Sequence, residues 1–191
     1  MGRGIVGRTN QGPHYVVAAS NATAKEKAVA DLICDGTADE VQINAAIAVL
    51  PAYPLGGVVE LSSGTFTIAA PVLIRNAMRL TGAGVYTTTV RLAANANCDM
   101  LKATDASCGG ASGGFFFVDH IFFDGLLAIN ATGGWGLNAD TTFLWDAYIE
   151  DCFFYRCKAG GIRTLQGWGW VIANTVVEYC GGVGVEWAGA H

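Results

Sequence analysis

The nonapeptide Ile149-Glu-Asp-Cys-Phe-Phe-Tyr-Arg-Cys157 is echoed 23 residues later by Ile172-Ala-Asn-Thr-Val-Val-Glu-Tyr-Cys180. At the same offset Gly161-Ile162 falls on Gly184-Val185. An earlier copy, Val118-Asp-His-Ile-Phe-Phe-Asp124, matches with an offset of 31, and the additional residues are expected in a loop around Gly133 to Asp140. A chain of short strands and glycine-rich turns is compatible with a sandwich, a barrel or a solenoid. A repeat in the twenties built from strand-length units selects the solenoid, because each unit leaves its apolar edge open until a neighbour stacks on it.

Composition supports that choice and removes others. Of 191 residues, 52% are hydrophobic and 14% charged, which is the opposite of a disordered chain. A net charge of −5 argues against a nucleic-acid backbone as partner. No apolar run approaches the roughly 20 residues that span a bilayer, so no membrane partner is expected. Met1 to Pro13 is polar and glycine-rich with no apolar core of a secretory signal, so the expectation is a protein kept in a cytoplasm or one whose signal is gone. The six cysteines, Cys34, Cys98, Cys108, Cys152, Cys157 and Cys180, match no zinc spacing. They are read as reduced, buried small hydrophobes, with disulfides as the alternative, and no metal or cofactor is expected.

The first third reads differently from the rest. After an arm over 1–14 comes a short apolar run, Tyr15 to Ala18, and then Thr23-Ala-Lys-Glu26, the pattern of a capping box at a helix start. That helix is expected to reach about Ile33, with Ala28, Val29 and Leu32 on its apolar face. Thr37-Ala-Asp-Glu40 repeats the pattern ahead of a second helix ending before Pro51. From Gly56 on, strands of three to five residues recur. The expected organisation is therefore an arm (1–14), a strand with two capping helices (15–55), and parallel coils (56–191). The final segment, Val183 to His191, offers no capping helix, so a longer chain or a partner is expected over that end.

The segment Asp31-Leu-Ile-Cys-Asp-Gly-Thr-Ala-Asp-Glu-Val-Gln-Ile-Asn-Ala-Ala-Ile47, followed by Gly-Gly-Val-Val-Glu-Leu61, Ser-Gly-Thr-Phe66 and Leu80-Thr-Gly-Ala-Gly84, resembles the opening of the pectate-lyase-like β-helix superfamily, in the version found in phage tail spikes and other polysaccharide-acting proteins. The resemblance runs from Tyr15 to about Leu92. It implies an all-β solenoid, a right-handed single-stranded parallel β-helix with an N-terminal helical cap. It does not fix activity, because such folds host lyases, hydrolases, epimerases and structural proteins. The clustered calcium-binding aspartates and catalytic Arg or Lys of the family's lyases find no counterpart here.

Strand alternation sorts the repeat into columns. Ile149, Cys152 and Phe154 face inward, as do Val118, Ile121 and Phe123, and then Ile172, Thr175 and Val177. Asp119 and Glu150 share an outward column with Ala173. Two carboxylates about 5 Å apart at the backbone have the spacing of a retaining glycosidase pair, or are simply two solvated charges. His120, Asp151 and Asn174 form a second column, either a polar turn ladder or a general base, His120, polarised by Asp151. Phe122, Phe153 and Val176 form a third, suited to burial under the long loop, to a subunit interface in a homotrimer, or to sugar stacking. Trp168 and Trp170, with Arg163 and Glu186 nearby, are candidate carbohydrate contacts or packing residues. The favoured reading is a structural or glycan-binding module of a phage-like virion, with a cell-surface polysaccharide as partner. The alternatives are a secreted protein and a polysaccharide lyase or glycoside hydrolase using Asp119, Glu150 and His120.

Overall fold

The computed structural model describes residues 12–52, 55–103, 114–139, 144–164 and 169–187. Its elements run β1 (His14–Ala18), α1 (Ala24–Val29), β2 (Leu32–Ile33) and α2 (Glu40–Ala48), and then strands only. These are β3 (Gly57–Leu61), β4 (Gly64–Ile68), β5 (Val72–Ile74), β6 (Met78–Gly82), β7 (Thr88–Leu92), β8 (Leu101–Ala103), β9 (Gly114–Asp119) and β10 (Phe122–Asp124). They continue with β11 (Trp135–Ala139), β12 (Leu144–Glu150), β13 (Phe153–Tyr155), β14 (Gly160–Thr164), β15 (Val171–Ala173), β16 (Val176–Glu178) and β17 (Val183–Trp187).

The chain deals these strands in turn to three sheets. Sheet A has the order β15-β12-β9-β6-β3-β1-β2, sheet B β16-β13-β10-β7-β4, and sheet C β17-β14-β11-β8-β5. Neighbouring strands are parallel throughout. Each coil takes one strand from each sheet, and like positions stack. Val59, Leu80, Val118, Ile149 and Ile172 form one inward column. Phe66, Val90, Phe123, Phe154 and Val177 form another. The Phe123 and Phe154 rings lie parallel with centroids 4.8 Å apart, so the stacking distance of the coils is also that of their side chains.

Sharp turns between sheets A and B recur in one backbone conformation. His120, Asp151 and Asn174 all have positive φ, at 60°, 49° and 48°. The left-handed region is open chiefly to Gly, Asn and Asp among turn residues, which explains two of the three. The stack at this corner is carried by main-chain bonds, with His120 N–H donating to the Glu150 carbonyl and Asp151 N–H to that of Ala173.

Helix α2 meets the first strands of sheets B and C, whose outer N–H groups have no strand beyond them, and α1 packs on β1. The buried Asp39 carboxylate accepts from Thr67 N (2.7 Å) and Gly36 N (2.8 Å). Glu40 accepts from Ala69 N (2.9 Å), and Asn44 accepts from Leu73 N while donating to the Pro71 carbonyl. Asn21 accepts from Thr65 N. Side chains thus take the place of a missing neighbour strand along β4 and β5, the need that any sheet edge creates.

Several local expectations are corrected. The Thr23–Glu26 capping box is present, but α1 ends at Val29, and Leu32–Ile33 pairs with β1 as strand β2. The second capping box is absent: Thr37 bonds Asp35, and Glu40 is drawn to the sheet edge. Residues Trp135–Ala139 of the expected loop are strand β11, and the extra length lies mainly in the turn between β10 and β11. On the last described coil, the inward-facing Val185 and Trp187 are 42% and 47% exposed. No helix among the described residues is long and apolar enough to cross a membrane.

Candidate functional site

The outer face of sheet A collects the most chemistry. Register places Val58, Arg79, Phe117, Tyr148 and Val171 in one outward column. Glu60, Thr81, Asp119, Glu150 and Ala173 form the next. Phe117 and Tyr148 are stacked, with centroids 4.7 Å apart and planes 13° apart. Both are half-buried, so part of this aromatic surface faces solvent beside the polar column.

Asp119 and Glu150 are on adjacent strands, as expected, but they are not alike. Asp119 is only 5% exposed. Its Oδ2 accepts from Arg79 Nε at 2.7 Å, and its Oδ1 accepts from the Thr81 hydroxyl. Oδ1 also lies 2.9 Å from His120 Nδ1. Glu150 is exposed. A glycosidase pair needs two carboxyl groups free to meet the substrate, one as nucleophile or base and one as proton donor. Asp119 already meets three neighbours, whereas Glu150 stands free on the adjacent strand.

His120 is placed by that same carboxylate. Its expected orienting partner, Asp151, is the more distant, with Oδ2 3.6 Å from Nε2. With Asp119 ionised, Nδ1 carries the proton and donates it to Oδ1. Nε2 then projects toward solvent and Asp151. A half-exposed imidazole held through one nitrogen by a buried carboxylate has the geometry of a base with its orienting group, and equally that of a fixed hydrogen-bonding contact. Among the described residues no group of three or more His, Cys, Asp and Glu is placed to hold a metal ion.

Arg79, Phe117 and Tyr148 were not singled out by the sequence reading. The offset of 31 that aligns Val118 with Ile149 also aligns Phe117 with Tyr148, so that signal was available one residue upstream. Arg79 was hidden by the 38 residues that separate Leu80 from its column partner Val118.

The other candidates fall elsewhere. Phe122, Phe153 and Val176 are in register on the outer face of sheet B. Tyr86, from the turn between β6 and β7, packs on both phenylalanines at 6.3 Å. Arg163 and Glu186 pair with each other on sheet C at 3.3 Å, and Arg163 also lies over the Trp135 ring. Trp170 is partly buried against the core and meets the Phe116 ring edge-on, with centroids 5.8 Å apart. Trp168 lies outside the described residues. Trp170, Arg163 and Glu186 therefore do not form one outward platform.

No protein-family model matches the chain, and no curated protein does. Among solved structures it is similar to ORF18 of Geobacillus virus E2, at 16% identity and a TM-score of 0.53, covering 66% of this chain and 27% of that one. It is also similar to the A-module of mannuronan C-5 epimerase AlgE4 from Azotobacter vinelandii, at 18% identity and a TM-score of 0.52, covering 73% of this chain and 47% of that one. The chain thus spans less than half the length of either. At such identities the likeness is one of fold alone, a parallel β-helix.

Proposed function

We propose that the chain is a glycan-contacting β-helix module of a virion-associated protein of the tail-spike or fibre kind. In this reading it is a single right-handed solenoid over 56–191, with residues 15–55 as its helical cap. Right-handed crossovers are the rule for parallel strands. The hydrogen bonds from Asp39, Glu40 and Asn44 to strand edges support the capping role. One structural neighbour is a viral protein and the other acts on a polysaccharide, which makes a saccharide on a viral scaffold a consistent partner class.

The observation that carries the reading is the stacked Phe117–Tyr148 pair beside Arg79, His120 and Glu150. Aromatic faces suit the C–H face of a sugar ring, while the charged groups suit its hydroxyls. We assign Phe122 and Phe153, with Tyr86, to contact between subunits of a homotrimer. Polysaccharides from bacterial surfaces and plant walls should show binding without release of reducing ends or unsaturated products. Tyr148→Ala should weaken binding about tenfold or more, from the roughly 1.5–3 kcal/mol that burying such a ring contributes. Unchanged affinity in both Tyr148→Ala and Phe117→Ala sinks the proposed face.

A second reading, a polysaccharide-modifying enzyme, is favoured by one feature: the Asp119–His120 contact leaves Nε2 outward. Product formation abolished by His120→Ala, with binding retained, would establish it in place of the first.

A further inference from the structure

Cys157 and Cys180 occupy the same position on adjacent coils. Hydrogen bonds bracket the pair on both sides: Arg156 N–H donates to the Glu178 carbonyl at 3.1 Å, and Gly181 N–H to the Cys157 carbonyl at 2.9 Å. The two side chains also share an orientation, each thiol lying 3.7 Å from the carbonyl oxygen two residues back, Tyr155 for one and Glu178 for the other. Identically oriented thiols on stacked coils are separated by about the coil spacing, roughly 4.8 Å. The Cα separation this implies lies inside the range a disulfide spans. Both thiols are free, Cys157 buried and Cys180 half-buried. Rotation of the more accessible Cys180 is enough to bring the sulfurs into bonding range.

We propose that this pair is an oxidative modification site, in which a peroxide oxidises Cys180 and Cys157 resolves it to a disulfide joining the two coils. The Cys180 thiolate attacks one peroxide oxygen and the O–O bond breaks. The sulfur becomes a sulfenic acid, and the leaving oxygen departs as hydroxide, which takes up the proton lost when Cys180 ionised and becomes water. The Cys157 sulfur then attacks the Cys180 sulfur, and the S–O bond breaks. The second oxygen leaves as water with the Cys157 proton. Two thiols are oxidised by two electrons in all, and one peroxide is reduced to two waters.

The reactivity order follows from the surroundings. The hydrogen bond from the Cys157 thiol draws Cys180 down to about 7, below the ordinary 9.0 of a thiol. The bond to Cys180, together with burial, holds Cys157 well above its ordinary value. Burial pushes Cys34 and Cys152 up to about 12 and Cys98 up to about 11. A thiolate that is accessible and stands beside a resolving thiol is the form that peroxides oxidise first.

The test treats the full chain with one equivalent of hydrogen peroxide at neutral pH, alkylates the remaining thiols, and maps peptides by mass spectrometry. The expected product is one Cys157–Cys180 disulfide, with the other four cysteines, Cys34, Cys98, Cys108 and Cys152, alkylated. Cys157→Ser should instead stop at a Cys180 sulfenic acid that dimedone traps. Cys180→Ser, changed at the more exposed position, should remain folded and form neither product. Oxidation at Cys98 ahead of Cys180 would overturn the proposal. So would a wild-type chain that accumulates Cys180 sulfenic acid without the cross-link.

Discussion

Replacing Asp39 with alanine should be among the most destabilising single changes in the chain. The carboxylate is fully buried and accepts two main-chain hydrogen bonds, from Thr67 N at 2.7 Å and Gly36 N at 2.8 Å. Alanine removes both acceptors and supplies none. A donor left without a partner costs about 1–3 kcal/mol, and both sites here are only part-buried, so water recovers some of that. The expected loss is about 2–4 kcal/mol, a large share of the roughly 5–15 kcal/mol by which domains are stable. With a urea slope of about 1–3 kcal/mol per molar, the unfolding midpoint should fall by about 1–2 M while the slope stays constant. Hydrogen exchange should show Thr67 and Gly36 amides losing protection before those of sheet A. Asp35→Ala, at a neighbouring carboxylate that bonds only Thr37, should leave the midpoint nearly unchanged. If Asp39→Ala shifts stability by less than about 0.5 kcal/mol, the ordinary scatter of surface changes, then α2 does not act as a substitute strand.

Two further outcomes test the packing and the pH response. Glu26 is held at about 2, below its ordinary 4.5, chiefly by its hydrogen bond from Ser63 and then by those from Thr23. Because the folded value is the lower one, its stabilisation is present above pH 4.5 and is lost as pH falls toward 2. An NMR titration should find the Glu26 midpoint near 2, and Glu26→Gln should make the Ser63 amide insensitive to acid over that window. Ala147 is fully buried next to Phe116, whose ring meets that of Trp170 edge-on with centroids 5.8 Å apart, so Ala147→Leu should cost about 1–3 kcal/mol by overpacking, read as a lower urea midpoint.

The repeat of 23 was legible because the last two coils have turns of nearly equal length. Sheet A shows why the earlier coils hid it. Successive positions in its central inward column are 21, 38, 31 and 23 residues apart, at Val59, Leu80, Val118, Ile149 and Ile172. Insertions of that size in turns change nothing in the stack, since loop length affects stability only weakly, but they erase a fixed period. Inward residues could be read because alternation is local. The roles of Asp119 and Trp170 could not, because each depends on a residue from another coil: Arg79 for the first, Phe116 for the second. The second capping box failed for the same reason, as the carboxylates of Asp39 and Glu40 found strand N–H groups 28 and 29 residues away.

The ladder geometry also decides where function can sit on such a fold. Every outward side chain in the middle of a sheet has a neighbour about 4.8 Å away on each side. Opposite charges on neighbouring coils therefore satisfy each other and the shorter carboxylate is withdrawn from solvent, as Asp119 is beside the exposed Arg79 on sheet A. On sheet B, Asp124 is 1% exposed between Arg91 and Arg156. A carboxylate at such a position can aim its partners but is poorly placed to receive a ligand. Groups whose column neighbours offer no complementary charge stay available: Glu150, followed by Ala173, and the Phe117–Tyr148 pair, followed by Val171. His120 belongs with them in part, since its ring is fixed by Asp119 while Nε2 stands toward solvent. In the proposed reading the ligand-facing set on sheet A is thus Tyr148, Phe117, Glu150 and His120, with the exposed Arg79 beside them and the buried Asp119 behind. Asp119→Asn tests that division: it should disturb the His120 ring orientation seen by NMR and weaken binding through it, whereas Glu150→Gln should weaken binding at neutral pH with the His120 ring still in place.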